Sequence, residues 1–174
     1  GEPITVSCCE GDVGHVYRGL LDFEVDEQTI ENLPPTRTKV LMNVGNPEEA
    51  FQLAALPCDG VGLARLEFII ANHIKVHPMA LLEPERLTNH EERQAIARLT
   101  NNYATPSEYY VDLLSQGMAR IAAAFYPRPV IIRFSDFKSN EYARLLGGSV
   151  FEPKEENPMI GWRGASRYVS TAFQ

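Results

Sequence analysis

Long apolar runs are missing from this 174-residue chain. No stretch approaches the roughly 18 to 20 consecutive apolar residues that a membrane helix needs, so no membrane partner is expected. No charged-then-apolar leader with a small-residue cleavage site is read in it, and a cytoplasmic setting is the expectation. Cysteine is scarce: Cys8, Cys9 and Cys58 are the three. They make neither a disulfide framework nor a metal-type spacing, which fits a reduced compartment. Cys8 and Cys9 read as packing residues on a hairpin. Basic residues are outnumbered, 16 against 23 acidic, for a net charge of −7. Without a Lys/Arg cluster to neutralise a phosphate backbone, nucleic acid is not an expected partner. The phosphate-loop patterns GxxxxGK[ST] and GxGxxG are absent as well. Hydrophobic residues make up 44% of the chain and charged residues 22%, an ordinary globular balance with enough length for a core.

Histidine is present but scattered, at His15, His73, His77 and His90. None has an acidic or Ser/Thr partner at an informative spacing. His73 and His77 stand at i, i+4, a spacing that can hold a metal on a helix. Pro78 follows at once and no third ligand is evident, so a metal site is not expected.

What the chain does have is three arginines in distinctive contexts. Arg65 lies in GVGLARLEF, Arg133 in VIIRFSDFKSNEY and Arg163 in NPMIGWRGA. A guanidinium is a rigid fork of donors that matches a carboxylate or phosphate bidentately. In an acidic chain, such forks at the ends of hydrophobic strands point to a site for a small, highly charged anion. The alternative stays open that each arginine pairs with a structural acid. Glu67 would share a strand face with Arg65, and Asp136 follows Arg133. Asn43, a polar residue in an apolar strand, could face the same mouth or simply bond a loop.

The pattern of elements places these residues. Residues 4–8 and 16–23 read as a hairpin around the turn EGDVG. Residues 26–36, ending in Pro34-Pro35, read as a linker and a domain boundary. Residues 39–44 (KVLMNV) form a near-continuous apolar run, as in a strand covered on both faces. Asn46-Pro47-Glu48-Glu49 is a helix start with an asparagine cap and acids in the first turn, and that helix stops at Pro57. Residues 60–68 are a second strand and 129–134 a third. Helical zones are expected at 89–101, at 106–125 and after Gly164, and Gly147-Gly148 reads as a turn.

Strand, helix, strand, helices, strand, helix is a βαβ series with parallel strands and right-handed crossovers. Arg65 and Arg133, late in their strands, would then emerge on one rim. Three strands do not close a barrel, which takes eight, and a lone hairpin is marginal by itself. The expectation is a chain cut from a larger protein at both ends.

The segments GVGLARLEFI, VHPMALLE, AAAFYPRPVIIRFSDFKSNEY and EENPMIGWRGASRYVS resemble the phosphoenolpyruvate synthase (pyruvate, water dikinase) family. The resemblance covers nearly the whole chain. The Gly-Leu-x-Arg-x-Glu and Asn-Pro-x-x-Gly-x-Arg patterns are shared with the wider PEP-utilising group. That group includes pyruvate, phosphate dikinase and the PEP-protein phosphotransferase of the sugar system.

The resemblance implies an α/β fold. Residues 37–174 would be the first part of a (β/α)₈ PEP-binding barrel, with about three strands present. Residues 1–25 would be the tail of a swivelling phosphohistidine domain. It implies substrate binding of pyruvate or PEP by Arg65 and Arg133, with Arg163 a third arginine at the mouth. The whole enzyme would use ATP and Mg²⁺, work as a homodimer, and pass phosphate through a phosphohistidine. That histidine, the metal-binding carboxylates and the proton-donating cysteine would all lie in other parts of the enzyme. No catalytic or metal residue is expected within this chain, and these residues alone are expected to be inactive.

Overall fold

The structure is a computed structural model and describes residues 1–27 and 34–173. It divides into two compact units, Gly1–Pro35 and Thr36–Gln174. In the first, strands β1 (Ile4–Ser7) and β2 (His15–Arg18) pair antiparallel, with Ile4 opposite Arg18 and Ser7 opposite His15. β2 stops well short of residue 23 because Gly19 takes a positive φ of 86° and turns the chain. Thr5 Oγ1 then donates to the Gly19 carbonyl at 2.8 Å and accepts from the Leu21 amide at 2.9 Å. Cys8 and Cys9 are exposed. The expectation that they pack is corrected: four-residue strands leave them in the turn, beyond the paired rungs.

The second unit is a mixed α/β body around a three-stranded parallel sheet. Its strands are β3 (Met42–Val44), β4 (Val61–Arg65) and β5 (Val130–Arg133), in the order β3-β4-β5. Each is shorter than its apolar run. Residues 39–41 stay outside the ladder because the Val40 amide and carbonyl are taken by Asp59, through its side chain at 2.7 Å and its amide at 2.8 Å. After β3, a 3₁₀ turn (Pro47–Glu49) leads into α1 (Ala50–Ala54). Asn46 caps it as expected, but onto the Glu48 amide at 3.1 Å. Its own amide group donates to Glu49 at 3.0 Å.

The expected strand 60–68 ends at Arg65. There the chain turns into α2 (Leu66–Ile69) and a π-helical turn (Ile70–Ile74) that ends at the left-handed Lys75. Leu66, Ile69, Ile70 and Ile74 lie at helical spacing and all bury into one core. Short helices follow: α3 (Pro78–Leu82), then α4 (His90–Thr100) and the long α5 (Pro106–Phe125). α5 begins with Thr105 capping the Glu108 amide at 3.3 Å and Pro106 in the first turn, and it ends before Pro127. Three single-turn helices complete the unit: α6 (Ser139–Tyr142), α7 (Gly148–Phe151) and α8 (Ala165–Tyr168).

Two cores hold these elements. Val44, Val61 and Ala64 of the sheet bury against Ala50 of α1 and against Ile121 and Phe125 of α5. A larger cluster joins α2, the π turn, α3, α4, Tyr109 and Tyr142. Helices therefore cover one face of the sheet. The other face carries Asn43, Leu63, Arg65, Ile131 and Arg133, and Ile131 is 56% exposed.

Candidate functional site

The open face of the sheet leads to a cavity of about 380 Å³ at the carboxyl ends of the strands. Arg65 and Arg133 occupy the same rung of the β4–β5 ladder, so both guanidiniums rise on the same side into it. Asn43 and Leu63 line its floor, and Arg163 reaches it from the loop before α8. All three expected arginines therefore meet at one place. Asn43 faces the mouth rather than a loop partner.

The acids are arranged differently from the expectation. Glu67 is not on a strand face but in the first turn of α2, where it is 5% exposed. Its Oε1 accepts from Arg133 Nη2 at 2.8 Å and from the Asp136 amide at 2.6 Å. Its Oε2 is buried with no hydrogen-bond donor, and Arg65 Nε lies 3.9 Å away, too far to supply one. Asp136 turns mainly to Arg163. Arg163 Nε donates at 3.0 Å to one carboxylate oxygen and Nη2 at 2.7 Å to the other, while Arg133 lies 3.6 Å off. Hydrogen bonding from Arg163 holds the Asp136 carboxyl below its usual range, and the charge of Arg133 adds to this. The same pair raises the pKa of Arg163.

Three guanidiniums against two carboxylates leave one positive charge in excess. Arg65 makes no hydrogen bond among the described residues, and Arg133 uses one donor on Glu67. Donors on both therefore remain for an anion. Lys138 and Glu141 close one wall as a pair 3.6 Å apart, and Met159 closes another.

The site's carboxylates do not fit a magnesium ion. Glu67 and Asp136 are turned to guanidiniums, and Glu141 to Lys138 and its amide. Among the described residues no group of three His, Cys, Asp or Glu could hold a metal. His73 and His77 share no helix face, because the left-handed Lys75 lies between them and His77 caps α3.

Sequence reasoning missed a second charged cluster behind the site. His77, Glu152 and Arg167 are all buried. Arg167 donates to both Glu152 oxygens, at 2.6 and 2.7 Å, and His77 Nε2 lies 2.9 Å from Glu152 Oε1. His77 Nδ1 accepts from the Met79 amide at 3.2 Å, so the ring is neutral with its proton on Nε2. Burial lowers the His77 pKa. For Glu152, burial acts upward, but hydrogen bonds from His77 and Arg167 outweigh it and the pKa is lowered. His77 does have an acidic partner, 75 residues away, a distance no local spacing reveals.

A parallel sheet with a guanidinium rim at its strand ends has the charge and geometry to receive a small anion. Residues 23–173 match the family described as PEP-utilising enzyme, PEP-binding domain, and the chain belongs to that family. Among characterised relatives, it is 63% identical over 175 residues to phosphoenolpyruvate synthase of Synechocystis, covering all of this chain and 21% of that protein. It is 54% identical over 174 residues to the synthase of Escherichia coli, covering 100% of this chain and 22% of that protein. The synthase of Aquifex aeolicus is 50% identical over 219 residues, with 100% of this chain and 26% of that protein covered. The chain thus spans between a fifth and about a quarter of the length of these relatives.

Proposed function

We propose that this chain is the arginine-bearing part of the PEP site of a phosphoenolpyruvate synthase. The whole enzyme converts ATP, pyruvate and water to PEP, AMP and phosphate through a phosphohistidine. Residues 37–174 are then the first part of a (β/α)₈ barrel, residues 26–36 a linker and residues 1–25 the end of the phosphohistidine domain. ATP and Mg²⁺ are held by other parts of the enzyme, which works in the cytoplasm as a homodimer. The observation that supports the reading is the shared rung of Arg65 and Arg133, with donors left over after Glu67 has taken its share.

In this reading Arg65 and Arg133 bind the phosphoryl group as it transfers to or from the enolate oxygen. Charge builds on the phosphoryl oxygens in that step, and fixed donors aimed at them lower the barrier without reorganising. Arg163, with two of its five donors on Asp136, contributes mainly its charge at the mouth. Asn43 offers an amide to the substrate from the floor.

Calorimetry of the 174-residue chain with PEP in magnesium buffer tests the binding half. Saturable binding is expected, weakened at least tenfold (about 1.4 kcal/mol) in Arg133→Met. In the full-length enzyme the same change should lower PEP formation by orders of magnitude. The competing reading, in which the arginines are structural partners of Glu67 and Asp136, is favoured by the two-pronged Arg163–Asp136 pair. It wins if Arg133→Met lowers the melting temperature yet leaves turnover intact.

A further inference from the structure

Arg163 lies outside the sheet, in a stretch from Glu152 to Gly164 whose only regular element is a 3₁₀ turn at Pro158–Ile160. No ladder holds it. Yet it meets Asp136 with two well-formed hydrogen bonds, so something else must set the backbone. The neighbouring residue, Trp162, shows what does. Its amide donates to Glu155 Oε1 at 2.8 Å, and its carbonyl accepts from Arg167 Nη2 at 3.0 Å.

Both partners are themselves anchored. The other oxygen of Glu155 accepts from Ser139 Oγ, buried at the start of α6. Arg167 has no exposure at all. It is locked two-pronged on Glu152, which His77 also bonds, and its guanidinium lies 3.9 Å from the Trp162 ring centre and 4.4 Å from that of Tyr142. A buried ion pair of this kind is seldom more stabilising than apolar residues of equal volume. Its hydrogen bond to the loop is a specific task that apolar residues could not perform.

The glycines of GWRG fit the same arrangement. A side chain on Gly161 would overlap the Glu155 carboxylate, and one on Gly164, at φ 56°, would press on Asp136 Oδ1 at 3.0 Å. Both carboxylates reach the loop because these two residues carry no Cβ.

We propose that Glu155 and Arg167 are positioning residues that grip the Trp162 peptide groups from both sides and thereby set Arg163 at the mouth of the anion cavity. The consequence for PEP rests on the function proposed above, but the grip itself does not.

The test uses the 174-residue chain and two readouts. The first is the Asp136 carboxyl titration followed by ¹³C NMR, which senses whether Arg163 is in place without any ligand. Arg163→Met should raise the Asp136 midpoint. Arg167→Lys keeps the charge beside Glu152 but loses the second arm to Trp162. Glu155→Ala removes the other side of the grip. Each should produce at least half of the rise seen in Arg163→Met, while amide shifts in β4 stay unchanged. An Asp136 midpoint that stays at the wild-type value overturns the proposal. If Arg167→Lys fails to fold, Glu155→Ala decides alone, because its site is only half-buried.

The second readout is PEP affinity by calorimetry. Arg167→Lys should weaken it at least fivefold, with no further loss when Arg163→Met is added. A full additional loss in the double variant overturns the positioning role. If the wild-type chain binds no PEP, the binding half of the function proposed above fails, and the Asp136 titration still decides the grip.

Discussion

Glu67→Gln isolates the charge at the centre of the arginine cluster with almost no change in shape. The glutamine oxygen can still accept from Arg133 and from the Asp136 amide, but as a neutral group. Charge-assisted bonds contribute about 1 kcal/mol more than neutral ones. Arg133 is 41% exposed, so its share is discounted for solvent screening. The new amide replaces Oε2, which lies buried beside Arg65 with no donor. Two N–H groups there face a guanidinium with nothing to accept them, at a cost of about 1 kcal/mol or more. The total is about 2 kcal/mol. For residues 36–174, an unfolding entropy of roughly 2.1 cal/mol/K per residue gives about 0.3 kcal/mol/K. The melting temperature should therefore fall by about 7 °C, followed by circular dichroism at 222 nm. In an Arg133→Met background the same change should cost less, since part of its effect acts through that guanidinium. A fall under 2 °C, or an equal fall in both backgrounds, would refute this account of Glu67.

Gly60 opens β4 at φ 138°, and a Cβ there would overlap the Pro129 carbonyl oxygen that accepts from the Val61 amide. Gly60→Ala should destabilise the fold by about 2 to 4 kcal/mol, read from urea titration. His77 has a folded-state pKa below its ordinary 6.5 because it is buried. As pH falls through that range the unfolded chain takes up the proton first, so stability is full above 6.5 and declines toward the folded value. Urea midpoints at pH 7.5 and 5.5 should show the decline, and His77→Gln should remove most of that difference. Thr105→Ala should cost about 1 kcal/mol by uncapping α5, with a matching shift in the urea midpoint.

Local signals were the legible ones. The bounds of α5 could be read from Pro106 at its start and Pro127 after its end, since proline starts and stops act within a turn. Strands β3, β4 and β5 were legible as apolar runs, but their ends were not. The stretch LEFII has the composition of a strand, and only its burial against the second core makes it helical. The meeting of Arg65 with Arg133 followed from parallel order alone. Their acids did not follow, because Glu67 meets Arg133 across 66 residues and Glu152 meets Arg167 and His77 through folding of the whole unit. Gly161 and Gly164 stood in a recognisable pattern, yet the carboxylates they admit come from elsewhere in the chain.

The rung shared by Arg65 and Arg133 has a mechanical consequence. Neighbouring strands in a sheet lie about 4.8 Å apart, so the spacing of the two side-chain roots is inherited from backbone hydrogen bonds rather than from side-chain packing. Neither root can move without breaking the rung that carries the other. Warming should therefore leave the two roots in register up to the melting transition and separate them only in step with the sheet.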